Sequence, residues 1–251
     1  QSKNPKRFLE FINHPLMKIV GLITEYNPFH AGHLYHMQRA RELTGADYCV
    51  VLMSGSFVQR GEPAIFDKYR RTKAALLAGA DLVLEMPVAF STASAHEFAA
   101  YGVALLSAIG VDAVVFGSEC GQIEFLKQAA SALNHESAEF QERLRKGLKA
   151  GLTYPQARAK ALEMEDTWAS VLTSPNNILG IEYLRAAEDL HSPMEFYTIS
   201  RKGSGYHEDT LADANFPSAS AIRGIIRNSL SKDKDLLDIL ASHLPAVTHP
   251  A

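Results

Sequence analysis

Short apolar runs of five to seven residues recur along this chain, and mostly helical sequence separates them. Each run has the length of a strand buried on both faces, and each leads into a turn signal. Strands that alternate with helices are joined by right-handed βαβ crossovers in a parallel sheet. The pattern therefore predicts an α/β fold: an open parallel, Rossmann-like sheet with helices on both faces. The predicted strands are residues 17–23, 48–53, 81–86, 112–116 and 194–199.

The segments between these runs predict the helices. Residues 33–43, 71–77 and 94–109 carry helical patterns, and another helix is expected to start near Ser220. Residues 122–170 are helical in character and charged without an intervening strand, which predicts a helical insertion. No internal repeat is evident. The polar residues 1–16 precede the first strand, and we take them as a tag remnant or an upstream extension.

Composition narrows the class of protein. With 47% hydrophobic and 21% charged residues, the chain has the make-up of a globular protein. A net charge of −3 excludes electrostatic binding of nucleic acid by the whole surface, so we expect no DNA partner and only regional RNA contact. No apolar stretch approaches the roughly 20 residues that span a bilayer, so no membrane partner is expected. Cys49 and Cys120 match no zinc or redox spacing, which favours reduced thiols and a cytoplasmic location.

The ends of the predicted strands are where a ligand is expected. In open parallel sheets, ligands bind outside the carboxyl ends of the strands. These ends carry Glu25-Tyr26-Asn27, Ser54-Gly55-Ser56, Pro87-Val88 and Gly117-Ser118-Glu119.

The tetrapeptide His30-Ala31-Gly32-His33 follows the first predicted strand and leads into a helix. A helix amino terminus favours an anion, and Gly32 allows close approach of the backbone to phosphates. Two imidazoles can donate hydrogen bonds to charge that develops on the α-phosphate and on leaving pyrophosphate. The alternative is a pair of surface histidines at a loop-to-helix junction.

Longer motifs extend this interpretation to nearly the whole core. The tract NPFHAGH at residues 27–33 resembles the signature of nucleotidylyltransferase-like enzymes. Together with MSGSFVQRGEPA, ADLVLEMP, VVFGSE, SPNNILGIEYL and ISRKGSGYH, it closely resembles the bacterial tRNA(Met) cytidine acetate ligase family. The resemblance spans residues 17 to about 227.

This resemblance implies a nucleotidylyltransferase-type, ATP-binding catalytic domain over residues 17–227. The implied reaction uses ATP and acetate, through acetyl-adenylate, to form N4-acetylcytidine at the wobble position of elongator tRNA(Met). Magnesium ordinarily bridges a triphosphate, although no carboxylate here stands out as its ligand. Family members carry a further C-terminal region, so residues 228–251 are expected to be the start of a truncated helical region.

The resemblance also assigns site residues. His30, His33 and Arg223 are expected to be catalytic, and Ser220 to cap a helix and touch phosphate. Gly117, Asn176 and Arg201 could instead be a turn residue, a helix cap and a solvated cation. The implied ATP contacts are Ile23, Thr24, Glu25, Tyr26, Asn27, Pro28, Phe29, His30, Ala31, Gly32, His33, Leu34, Tyr35, His36, Gly117, Asn176, Arg201 and Ser220.

Two further groups are candidates for contact with acetate or RNA. Residues 54–63 follow the second strand and are a candidate wall for acetate and cytidine. Phe57 and Tyr69 could stack a base or belong to the core. A basic cluster could meet tRNA phosphates or form a solvated helix face. Its members are Lys68, Arg70, Arg71 and Lys73.

Two rival functions stay open on the sequence. The same fold serves adenylyltransferases that make nucleotide cofactors, which turn over without RNA. A nucleotide-regulated RNA-binding module without catalysis is a different class, which the pair His30 and His33 makes less attractive.

Overall fold

The computed structural model describes residues 17–161, 172, 174–200, 218–230 and 245. Five parallel strands form one sheet in the order β3-β2-β1-β4-β5, which confirms the predicted fold class. The chain starts in the middle, moves outward to β3 and then returns to β4. The order therefore reverses between β1 and β4, where a crevice for ligands is expected. The strands are β1 (Ile19–Thr24), β2 (Tyr48–Ser54), β3 (Leu82–Met86), β4 (Ala113–Ser118) and β5 (Glu195–Ser200).

Helices cover both faces of the sheet. Two buried apolar clusters lie on opposite faces, one beneath α4, α5 and α8 and the other beneath α1 and α2. The described helices are α1 (Ala31–Thr44), α2 (Lys68–Leu77), α3 (Val88–Ser91), α4 (Ala95–Ala108), α5 (Ile123–Asn134), α6 (Ala138–Lys149), α7 (Tyr154–Ala161), α8 (Pro175–Asp189) and α9 (Ala219–Leu230). None of these helices combines the length and the apolar character needed to cross a membrane.

The predicted helices are present, with ends set by local capping. Helix α2 begins three residues before the predicted start because the Asp67 carboxylate accepts the Arg70 amide at 2.9 Å. Helices α5 to α7 occupy the described part of segment 122–170, and α5 places Leu126 and Leu133 in the core. Residues 1–16 and most of 228–251 lie outside the described residues, so their predicted roles stay untested.

A short tripeptide repeat precedes three of the strands, and it was not predicted from the sequence. The tripeptides Gly45-Ala46-Asp47, Gly79-Ala80-Asp81 and Gly110-Val111-Asp112 stand before β2, β3 and β4. The three glycines have φ of 63°, 112° and 79°, a region that favours glycine. Each glycine follows a helix end and turns the chain back into the sheet.

The aspartates of this repeat fix how the strands start. Asp47 and Asp112 accept the backbone amides of Lys18 and Ile19, at 2.8 and 2.7 Å, on the two sides of β1. Asp81 accepts the amide of the second residue of β2 at 2.7 Å. Hydrogen bonds to ionised groups are stronger than neutral ones, so these carboxylates help to set the register of the sheet.

Glycines let two helices lie close to the sheet. A Cβ at Gly102 in α4 would lie 2.7 Å from Ile23 Cδ1, inside contact distance. A Cβ at Gly180 in α8 would lie 3.0 Å from Phe116 Cδ2 and would overlap Cε2 of the same ring. Helix α8 therefore packs on β4 through a position that excludes even a methyl group.

Replacing Gly180 with Ala is expected to lower the free energy of unfolding by about 1–3 kcal/mol, because the methyl group overpacks the helix against Phe116. Gly224→Ala in α9 is the matched control, since no atom lies within 4 Å of an added Cβ there. The control is expected to raise the free energy of unfolding by about 0.5–1 kcal/mol. Urea denaturation measures the free energy of unfolding of both variants. If Gly180→Ala stabilised the protein as much as Gly224→Ala, this result would contradict the close packing of α8.

Candidate functional site

The loop between β1 and α1 is held by aromatic packing at the point where the strand order reverses. Tyr26 has φ of 48°, which a bulky residue rarely adopts, and the Asn27–Pro28 peptide bond is cis. The Tyr26 ring is fully buried and meets the rings of Phe29 and His33 edge-on, each at 4.8 Å between centroids. Burial raises the pKa of the Tyr26 hydroxyl far above its usual range, so it stays neutral.

His30 and His33 form a reciprocal cap at the start of α1. His30 Nδ1 accepts the Gly32 amide at 3.0 Å, and His33 Nδ1 accepts the His30 amide at 3.3 Å. The two rings lie 3.8 Å apart between centroids. A neutral ring that accepts through Nδ1 carries its proton on Nε2, so both rings have an Nε2–H donor.

The alternative of two surface histidines is wrong for His30, which is 6% exposed, while His33 is half-buried. Gly32 also has a role that the sequence did not indicate. A Cβ at Gly32 would lie 2.9 Å from His30 Cε1, so a side chain there would displace the capping imidazole. The motif therefore forms a helix start in which each histidine holds the backbone next to the other.

Arg71 lies beneath the ends of β1 and β2. It is 1% exposed, and its guanidinium donates to the carbonyls of Glu25 (2.6 Å), Ser54 (3.0 Å), Gly55 and Phe66 (3.1 Å). Burial lowers the pKa of this guanidinium, and nearby carboxylates oppose the shift. The prediction that Arg71 meets RNA or solvent is wrong, because the side chain binds the strand ends from below.

The rest of the predicted basic cluster lies nearer the surface of α2. Lys68 pairs with Glu85 at 2.6 Å and Arg70 with Asp67 at 3.4 Å. Tyr69 is 75% exposed, so the alternative that it belongs to the core is wrong. This face stays compatible with the predicted RNA contact.

Two side chains of the β1 loop hold the loop that follows β2. The Glu25 carboxylate accepts the Gln59 amide at 2.9 Å, and Asn27 Oδ1 accepts the Ile65 amide at 2.8 Å. The predicted wall at residues 54–63 is thereby fixed beside the predicted ATP-binding stretch. Neither bond could be predicted from local sequence, because each joins residues more than 30 positions apart.

Glu119 joins the end of β4 to the start of α8. Its carboxylate accepts the Asn176 amide (3.2 Å) and Nδ2 (2.6 Å) through one oxygen and the Asn177 amide (2.8 Å) through the other. In return, Asn177 Oδ1 accepts the amides of Glu119 (2.9 Å) and Cys120 (3.1 Å). Glu119 therefore supplies the cap of α8 and orients Asn176. From the sequence, Glu119 was predicted only to lie at a strand end.

Arg223 reaches the β1 loop from far along the chain. It donates to the Asn27 carbonyl at 2.8 Å and to Ser220 Oγ at 3.0 Å. The prediction that Ser220 caps a helix is wrong, because α9 begins at residue 219 and Ser218 Oγ accepts the Ala221 amide at 3.1 Å. Ser220 lies inside the first turn, where it contacts Arg223.

The remaining predicted residues fall in three places. Ile23 and Thr24 end β1, and the stretch up to His36 forms the loop and the first turns of α1. Gly117 is the penultimate residue of β4, two residues before Glu119. Arg201 lies outside the described residues. The structure thus brings the β1 loop, the start of α1 and Arg223 together, with Gly117 and Asn176 gathered around the end of β4.

The pattern of the HIGH nucleotidyl transferase family matches residues 17–250. The chain belongs to this family. Two relatives named tRNA(Met) cytidine acetate ligase, from Caldicellulosiruptor bescii and Clostridium novyi, are 44% and 47% identical over 93% and 92% of this chain. The crystal structure of Thermotoga maritima TmcAL bound with alpha-thio ATP is 40% identical over 93% of this chain, with a TM-score of 0.81.

These comparisons confirm the resemblance that the motifs predicted. The chain spans only part of each relative: 56% of the C. bescii protein, 58% of the C. novyi protein and 54% of the T. maritima chain. The residues that match the HIGH nucleotidyl transferase family include the His30–His33 cap.

Replacing Arg71 with Met is expected to lower the free energy of unfolding by about 3 kcal/mol or more, because the carbonyls of Glu25, Ser54, Gly55 and Phe66 lose a charged donor. Arg70→Met is the matched control. That neighbouring side chain is 77% exposed, and its loss is expected to change stability by no more than about 0.5 kcal/mol. Guanidinium denaturation compares the two, and equal losses would contradict the role given to Arg71.

Proposed function

We propose that this chain is the ATP-activating part of a tRNA(Met) cytidine acetate ligase. It would use ATP and acetate to make acetyl-adenylate and then acetylate N4 of the wobble cytidine of elongator tRNA(Met). The names of its relatives support the substrates. The observation that carries the proposal is the His30–His33 cap at the strand-order reversal, beside Arg223.

The first step joins acetate to the α-phosphate. A carboxylate oxygen of acetate attacks the α-phosphorus, the bond to the β-phosphate oxygen breaks, and pyrophosphate leaves with the electron pair. The transition state concentrates negative charge on phosphate oxygens, which donors fixed in advance stabilise most. The Nε2–H groups of His30 and His33, the amino terminus of α1 and the Arg223 guanidinium are such donors.

The second step transfers the acetyl group. The cytidine N4 amine attacks the acyl carbon, the bond between that carbon and the AMP oxygen breaks, and the amine loses a proton. The base must be exposed in a loop or flipped out of a stack to reach the acyl group. The exposed residues Tyr69, Arg70 and Lys73 of α2, with the 42%-exposed Phe57, form the surface that we propose for the tRNA.

We propose that Asn176 and Gly117 contact the nucleoside part of ATP. Asn176 Nδ2 donates to the Glu119 carboxylate at 2.6 Å, so this side chain is held in one orientation at the start of α8. A side-chain amide can both donate and accept a hydrogen bond, which suits contact with adenine or with a ribose hydroxyl. Arg201, directly after β5, stays a prediction for a phosphate contact.

Mg²⁺ would enter with ATP. Within the described part of the chain, no group of three or more His, Cys, Asp or Glu residues is arranged to hold a metal ion. Mg²⁺ commonly binds substrate phosphates and keeps several waters, so it does not need a protein cage. We also propose a cytoplasmic location, since the proposed substrate is a tRNA used in translation.

The decisive experiment supplies the chain with ATP, labelled acetate and either tRNA(Met) or no tRNA. Acetate-dependent exchange of label between pyrophosphate and ATP tests the first step, and acetylated cytidine in tRNA tests the second. Adenylyl transfer to a phosphorylated metabolite, without dependence on acetate or RNA, would favour the cofactor-making alternative. Absence of pyrophosphate release under every condition would leave only the non-catalytic RNA-binding module.

Replacing His33 with Ala is expected to reduce pyrophosphate release by about 100-fold or more, because a donor to the α-phosphate is lost. The free energy of unfolding is expected to fall by only about 1 kcal/mol, from the lost cap. His135→Ala is the control, since that ring is 70% exposed at the end of α5. Retained activity in the His33 variant would remove this residue from the proposed mechanism.

Replacing Glu119 with Gln is expected to raise the KM for ATP about tenfold with a smaller change in kcat, because Asn176 loses its charged anchor. Glu124→Gln is the control: it removes a carboxylate that is 76% exposed and pairs with Lys127 at the surface. Steady-state kinetics separate the two parameters. A fall in kcat with unchanged KM would place Glu119 in another role.

A further inference from the structure

The proposed acetyl transfer requires a group that accepts a proton. The N4 amine of cytidine shares its lone pair with the ring, so it is a weak nucleophile until it gives up a proton to a base. A base held in position typically accelerates such a step by about 10²- to 10⁴-fold. His30 and His33 present Nε2–H donors at this edge, so their rings are not the acceptor. A carboxylate is another common base in enzymes.

The strand ends and the loops directly after them carry several carboxylates, and most of these have a partner. Glu85 and Asp67 pair with cations of α2 at 2.6 and 3.4 Å. Glu62 lies 4.0 Å from a cation of α9, and Glu119 accepts three N–H donors at the start of α8. Glu25 differs from them, since it forms no ion pair with any residue that the structure describes.

Glu25 lies directly after β1, where the strand order reverses. Its Oε1 accepts the Gln59 amide at 2.9 Å, whereas Oε2 accepts no hydrogen bond within the described part of the chain. The residue is half-buried, so part of its surface stays open to a ligand. Two ionisable side chains interact with it electrostatically. Arg71 is the first and binds the Glu25 carbonyl instead, and Tyr183 is the second. Burial, and then the charge of Glu25, raises the pKa of the Tyr183 hydroxyl far above its usual range, so that hydroxyl stays neutral.

Charge indicates which substrate the free oxygen of Glu25 meets. The phosphates of ATP and the carboxylate of acetate are anions, which a carboxylate repels. The cytidine amine carries N–H donors, which a carboxylate attracts. Adenine and ribose also carry donors, but their proposed contacts, Gly117 and Asn176, lie around the end of β4. Glu25 is bonded instead to residues 54–63, the predicted wall for cytidine.

We propose that Glu25 is the base that takes the proton of the cytidine N4 amine, an inference that rests on the function proposed above. The N4 nitrogen forms a bond to the acyl carbon, and the bond from that carbon to the AMP oxygen breaks. AMP leaves with the electron pair of that bond. The N4 proton passes to Glu25 Oε2 and then to water. Because Oε1 is bonded to the Gln59 amide, the carboxylate is held in place for this transfer.

The test measures the two steps separately in Glu25→Gln, with the whole chain. Acetate-dependent exchange of label between pyrophosphate and ATP reports activation. Acetylation of tRNA(Met) from supplied acetyl-adenylate, less the rate without protein, reports transfer. Glutamine can still accept the Gln59 amide, so urea denaturation is expected to show an unchanged free energy of unfolding. Exchange is expected to change by less than about threefold, while kcat for transfer falls by about 100-fold or more at an unchanged KM for tRNA.

Two further variants control for charge and for shape. Glu85→Gln removes a carboxylate that is 49% exposed in the edge strand β3, and it is expected to leave both rates unchanged. Glu25→Asp keeps a carboxylate on a shorter side chain, so its loss of transfer is expected to be smaller than that of Glu25→Gln.

The outcomes separate this proposal from the proposed activation of acetate. Unchanged transfer in Glu25→Gln, an equal loss of exchange and transfer, or a raised KM for ATP in exchange would overturn the role of Glu25. Transfer that depends on Glu25 in a chain that shows no exchange would remove the proposed activation and leave that role standing. Exchange without any transfer by the unaltered chain would do the reverse.

Discussion

One buried cation organises the ligand-binding edge of this protein. Arg71 donates to carbonyls from both the β1 and the β2 ends, where parallel strands leave backbone acceptors that no neighbouring strand satisfies. Burial makes these bonds strong and makes their loss costly. Because the loop to α1 and the loop after β2 both start from these strand ends, their positions depend on this side chain.

In the rest of the site, side chains accept hydrogen bonds from the backbone amides at the starts of helices. His30 and His33 cap the start of α1. Glu119 caps the start of α8, and Asn177 in that helix accepts the Glu119 amide in return. Such bonds fix backbone donors and side-chain rotamers together, so the groups proposed to meet ATP are oriented before a nucleotide arrives. Preorganisation of this kind is the main way in which an electrostatic site lowers a barrier.

Much of the fold could be predicted from local sequence, and less of the site. Apolar runs located every strand, since parallel strands buried on both faces need continuous hydrophobic sequence. The helix starts were less accurate, because capping by Asp67 or His30 depends on side-chain geometry. Arg71 was assigned to the surface because its neighbours in sequence are charged, yet three of its four carbonyl partners lie 16, 17 and 46 residues away.

The sequence by itself determined the order of elements, the edge of the sheet where a ligand is expected and the histidine motif at that edge. These follow from residues close together in the chain, through periodicity and turn chemistry. Only the tertiary structure decided that Arg223 reaches Asn27 and that Glu119 orients Asn176. The physical reason is distance along the chain. A hydrogen bond needs approach to about 3 Å, and only packing brings remote residues so close.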